Sequence, residues 1–148
     1  MPERLYLDDL AVGNVFTSGT HAMDAAQIHA FASQFDPQPF HLDAEAAKHT
    51  LFQGLAASGW HTAAVTMRLL VGSLPLAQGV VGAGVDVSWP KPTRPDDVLR
   101  VTSTILDILP SRSKPDRGIV VVESLTTNQH EEVVQKLTGR IVCFRRAG

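Results

Sequence analysis

The amino-acid sequence predicts an α+β fold in which a long, curved antiparallel sheet wraps around one central helix. Three observations lead there. Roughly the last 70 residues read as strands rich in Val, Ile and Thr, a long apolar helix precedes them, and the first third reads as irregular structure and helix.

In chain order, Asp24 followed by Gln27 resembles a capping arrangement, and Ile28, Phe31, Ala32 and Phe35 then recur at helical spacing. That helix is expected to end before the Asp36-Pro37 break. A second short helix is expected to start at Asp43, whose side chain can cap the segment 44–49. The small-residue loop 53–60 leads into an apolar helix from His61 to about Val71, with Ser58 as N-cap and Gly59 in the first turn. Ala63, Ala64, Met67, Leu70 and Val71 fall on one side of it, with Val65 and Leu69 elsewhere. A helix apolar nearly all round is expected to be buried.

Strands are expected near 80–89, 98–109, 118–127 and 133–144. Pro90, Pro92 and Pro95 occupy the first connection, 110–118 the second and 128–132 the third, a spacing that suggests a meander. One domain is expected over 1–148, with no repeat and no internal boundary. One curved sheet can cover much of a buried helix but leaves strand edges in need of protection. A homodimer or higher homo-oligomer, formed through an edge, is therefore expected.

Composition narrows the function. Hydrophobic residues make up 44% of 148 residues, as in a globular protein, and no run approaches the roughly 18 apolar residues of a membrane span. Acids stand where a signal peptide would need its apolar stretch, so the cytoplasm is the expected location and no membrane partner is foreseen. A net charge of −2 without a basic tract gives no reason to expect nucleic acid. The single Cys143 lies in an apolar run and reads as core. None of the six histidines forms an H-x-x-x-H pair, so no metal and no cofactor is expected. Arg112, Lys114 and Arg117, with Lys91 and Arg94, could meet phosphates but read first as solvated surface.

Two features carry possible chemistry. In Asp36-Pro37-Gln38-Pro39-Phe40-His41 the prolines stiffen a segment bearing a carboxylate and an imidazole, which can hold a water molecule between them. The same residues also suit a plain helix-terminating turn. In the loop from Gly54 to Gly59, backbone N–H groups at the start of the following helix lack internal partners and can stabilise a developing oxyanion. That loop could equally be small only to let the helix pack. Ser58 reads as a cap, since Ala56-Ala57-Ser58-Gly59 does not match G-x-S-x-G. Phe40, Trp60 and Trp89 are candidate pocket walls.

The segment 35–41, the loop 54–59 and Val85-Asp86-Val87-Ser88-Trp89-Pro90-Lys91-Pro92 together resemble the MaoC-like dehydratases, which include the (R)-specific enoyl-CoA hydratases. The likeness runs in order along nearly the whole chain, including the opening Asp8-Asp9-Leu10-Ala11-Val12-Gly13. It implies a hot-dog fold and a homodimer with sites near the subunit interface. It also implies catalytic roles for Asp36 and His41 and a carbonyl-polarising N–H at Gly59, with Gln38, Phe40, Ser58, Trp60 and Trp89 around the substrate. The implied activity is that of a hydro-lyase adding water reversibly to a 2-enoyl thioester such as an acyl-CoA. Phe35 and Gln38 depart from the usual motif, Ser58 stands where His is frequent, and Met67 stands near the place of a hydratase serine. An acyl-CoA thioesterase recruiting Glu45 or Asp36, and a non-catalytic acyl-thioester-binding module, are the alternatives.

Overall fold

Local sequence chemistry sets the ends of each element in the computed structural model, which describes residues 3–147. A 3₁₀ turn, Leu7–Asp9, is followed by β1 (Val15–Ala22) and α1 (Ala25–Phe35). Asp24 caps α1 by accepting from the Gln27 N–H at 2.8 Å, and Gln27 Nε2 returns a bond to Asp24 at 3.0 Å. Two short helices follow, α2 (Pro39–Leu42) and α3 (Ala44–Ala47), the latter capped by Asp43. The long helix α4 (Gly59–Ser73) precedes β2 (Val81–Ser88), β3 (Val98–Pro110), β4 (Arg117–Thr127) and β5 (Val133–Phe144). The helix ends and the four later strands fall within a few residues of expectation.

The sheet is antiparallel throughout, in the order β1-β3-β4-β5-β2. Only β3, β4 and β5 form the expected meander. β2 pairs with β5 instead of β3, so the proline-rich connection 89–97 crosses from one edge of the sheet toward the other. This correction matters, because the crossing carries Trp89, Lys91 and Thr93 past the start of α4.

A second correction is β1, expected to be irregular. Its ladder with β3 shifts between Thr17 and Thr20, and there the Ser18 hydroxyl accepts from the Val101 N–H at 2.8 Å. A polar side chain in a bulge, next to Gly19, hides the period-two signal of a strand.

α4 lies across the concave face of the sheet, but not with the face that its apolar residues suggested. His61, Thr62, Val65, Thr66 and Leu70 are buried, whereas Met67 and Val71 are exposed. One side of the helix is therefore left exposed. Leu70 and Leu74 join Ile105, Val120, Val122, Ile141 and Cys143 in one apolar cluster, and burial pushes the Cys143 thiol up to about 11. Val65 joins Met23, Ile28, Leu99 and Val134 in a second. Buried polar groups lie along the sheet-facing side of the helix. Thr66 pairs with Thr126 at 2.6 Å, and Ser103 with Ser124 at 2.8 Å beyond it.

Candidate active site

Asp36 terminates α1, where its N–H still bonds to the Ala32 carbonyl at 2.9 Å. Pro37 separates it from Gln38, the N-cap of α2, and Pro39 starts that helix at a position where a missing N–H costs nothing. His41 sits two residues further on, on a short helical turn not expected from the sequence, and is 4% exposed. The chain thus folds back so that His41 Nε2 lies 3.3 Å from Asp36 Oδ2.

The other ring nitrogen fixes the chemistry. His41 Nδ1 is 2.6 Å from the Ala56 carbonyl oxygen, which can only accept, so Nδ1 carries a hydrogen. Nε2 then faces a carboxylate oxygen, and two lone pairs in that position would repel. A hydrogen on Nε2 as well, directed at Oδ2, is the arrangement that makes the contact attractive. Burial alone would push the Asp36 carboxyl up. Hydrogen bonding from Gln38, the neighbouring Ser58 hydroxyl and the His41 imidazole together hold it below the usual carboxylate value. Gln38 Nε2 donates to Asp36 Oδ1 at 2.5 Å.

The loop ahead of α4 is fastened on both sides. Ala56 N–H bonds to the Phe40 carbonyl at 3.0 Å, and Ala57 N–H to the Thr93 carbonyl at 2.8 Å. The Arg94 guanidinium donates to the Phe52, Gly54 and Leu55 carbonyls at 2.5, 3.0 and 3.2 Å, so it is a structural clamp on this loop. Lys91 pairs with Glu132, and Arg117 with Asp116. Ser58 accepts from the Trp60 N–H at 3.2 Å, as expected of a cap. Gly59 is the first residue of the helix, so its N–H has no acceptor within the helix.

These parts surround one cleft of about 480 Å³. Asp36, Gln38, Phe40, His41, Gly59, Trp60 and Trp89 all line it, so the structure brings together every expected site residue except Ser58, which is buried behind the wall. Leu51, Phe52, Thr62, Pro92 and Thr93 line it too, and none was singled out from sequence. Thr62, one turn beyond Gly59, bonds Thr93 Oγ1 at 2.9 Å, and helical spacing from Gly59 could have found it. Met67 lies instead in a second cleft, between α4 and β2, and Glu45 is exposed and paired with Lys48. Among the described residues no group of three or more His, Cys, Asp or Glu side chains is placed to hold a metal ion.

Residues 11–128 match the model of the MaoC like domain. The chain belongs to this family. It is 34% identical over 128 residues to the uncharacterised protein YdeM of Bacillus subtilis, covering 84% of this chain and 89% of that one. Among solved structures, the MaoC-like dehydratase from Rhodospirillum rubrum is similar at 63% identity with a TM-score of 0.96, over 97% of this chain and 99% of that one. The (R)-hydratase from A. caviae involved in PHA biosynthesis is similar at 25% identity with a TM-score of 0.70, over 90% and 95%. The sheet wrapped around α4 is the hot-dog fold of these MaoC-like structures. The family places the chain among hydratases and dehydratases in general. No helix among the described residues is long and apolar enough to cross a membrane.

Proposed function

We propose that this MaoC-like protein catalyses the reversible hydration of a 2-enoyl thioester, an enoyl-CoA, to the 3-hydroxyacyl thioester. The observation that carries the reading is the tethered Asp36–His41 pair, which shares one cleft with Gly59. Water held by both groups beside their direct contact loses a proton to Asp36 as its oxygen adds to C3. Negative charge moves onto the thioester oxygen, where the Gly59 N–H stabilises it, a contribution of about 2.7–4 kcal/mol for such donors. His41 Nε2 then gives its proton to C2, and the proton held by Asp36 crosses the short gap to restore the pair. Phe40, Trp60 and Trp89 wall the cleft beside this track, and Ser58 fixes the start of α4 behind it.

A second copy of the chain completes the molecule in this reading. The exposed side of α4, with Trp60, Met67 and Val71, adjoins the exposed edge strand β2, with Val81 and Val85. A further apolar cleft of about 480 Å³ runs between them and meets the first cleft at Trp60. Covering this face would protect both the edge and the apolar surface. Sedimentation should give a dimer or higher oligomer, and a monomer at micromolar concentration would refute that part.

The functional test is a panel of 2-enoyl-CoA substrates of differing length and branching. Loss of enoyl absorbance without free thiol supports the hydratase. Release of thiol from acyl-CoA would instead establish a thioesterase, and binding without turnover across the panel would establish a non-catalytic acyl-thioester module.

A further inference from the structure

Trp89 sits where Gly59 can tolerate nothing larger. A Cβ built on Gly59 would come within 2.6, 2.8 and 2.9 Å of three atoms of the Trp89 ring system. The indole therefore lies flat against the first residue of α4, with Trp60 edge-on to it at 5.5 Å and 81°. Trp89 is 40% exposed and stands on the crossing connection rather than in a strand, so packing alone does not hold it.

Its one polar atom does. Trp89 Nε1 donates to Gln135 Oε1 at 2.8 Å. Because the indole nitrogen can only donate, the amide is oriented with its oxygen toward Trp89. Gln135 Nε2 then donates to Thr66 Oγ1 at 2.9 Å, and Thr66 is bonded to Thr126 Oγ1 at 2.6 Å. Gln135, Thr66 and Thr126 are all fully buried. The chain of bonds joins β4, β5, α4 and the crossing connection. A buried amide costs stability unless every polar atom is paired, and an apolar residue could fill the same space. What the amide adds is direction.

The backbone explains how Gln135 comes to face inward. The register of β4 with β5 shifts between Thr126 and Thr127, which face Gln135 and Val133 and leave Val134 as an extra residue. This bulge turns the consecutive Val134 and Gln135 both inward, a re-aiming typical of bulges beside functional sites.

We infer that Gln135 is a positioning residue for the active-site cleft: through its bond to the Trp89 indole it holds the ring against Gly59 and so sets how a substrate carbonyl reaches the Gly59 N–H. This rests on the hydratase reading for its kinetic consequence, but not for its structural one. Gln135→Leu keeps the bulk and removes the acceptor. Its kcat/KM on enoyl-CoA should fall about tenfold, mostly in kcat, the scale of one lost hydrogen bond. In a Trp89→Phe background the same substitution should have no further kinetic effect, whereas a purely structural role would give additive losses. With Trp60→Phe, Trp89 is the only tryptophan, and Gln135→Leu should then lower its fluorescence anisotropy and raise its acrylamide quenching without any substrate. If Gln135→Leu does not fold, Thr66→Val loosens the same amide one bond away and should shift both readouts in the same direction. Wild-type kcat/KM together with unchanged quenching, or additive losses in the Trp89→Phe background, overturns the inference. If the wild-type protein turns over no enoyl thioester, the functional reading fails and the quenching alone decides the clamp.

Discussion

The two ends of the cleft are built on different principles. At the acid–base end, Asp36, Gln38 and His41 lie within six residues, and prolines and a helix cap set their geometry. At the carbonyl end, Gly59 depends on Trp89, which depends on Gln135, a chain of contacts across distant parts of the sequence. The first end is rigid because its chain is short and stiff. The second is rigid because the whole fold converges on it. Substitutions should therefore act locally on the first and through packing on the second.

The largest effect is expected at the acid–base end. Asp36→Asn and His41→Ala should each lower turnover by about 10²–10⁴-fold, the usual contribution of a positioned acid or base. Folding should be intact by circular dichroism, because neither residue anchors the apolar clusters. The double variant should be little worse than either single one if the two share a proton. Near-wild-type kcat in either single variant would remove the pair from the mechanism.

This contrast also explains what was legible in the sequence. The pairing of Asp36 with His41 could be read because the two residues are neighbours in the chain. The strands after β1 and the caps Asp24, Asp43 and Ser58 were legible for the same reason, being set by local periodicity and side-chain bonds. The bulged β1, the crossing of β2 to the far edge and the inward turn of Gln135 were not, since each is decided by pairing between distant segments. The helix α4 shows the limit within one element. Its apolar stripe suggested a core face, but hydroxyls of Thr93 on the crossing connection and Thr126 in the sheet lie beneath it, so Thr62 and Thr66 face inward while Met67 faces out.

A glycine pair tests the carbonyl end. Gly59 and Gly72 both lie in α4, and helix propensity alone would favour alanine at each by about 1 kcal/mol. At Gly72 a Cβ meets nothing within 4 Å, so Gly72→Ala should raise the melting temperature with activity unchanged. At Gly59 the same methyl strikes Trp89, so Gly59→Ala should destabilise by about 1–3 kcal/mol, as overpacking does. It should also lower kcat, because alanine keeps the N–H but the methyl and the displaced indole crowd the approach to it. Equal effects at the two glycines would mean that Trp89 does not bear on Gly59.

The smallest effect separates the two ends by pH. His61, also in α4, is 7% exposed, stacks on Phe31 at 4.7 Å and has no hydrogen-bond partner at Nδ1 among the described residues. Burial, with His21 adding repulsion, pushes its ring below the ordinary 6.5. A lowered value in the fold means the unfolded chain binds more protons in that interval, so stability falls as pH drops below 6.5. Asp36 is also lowered, but from 3.8, so its contribution is lost only in more acid solution. Mild acid should therefore loosen the α1–α4 contact behind Gly59 before it touches the Asp36 carboxylate. The melting temperature should decline as the pH is lowered below 6.5, and His61→Phe, which keeps the stack on Phe31, should flatten that decline. A slope identical in the variant would place the acid sensitivity elsewhere in the fold.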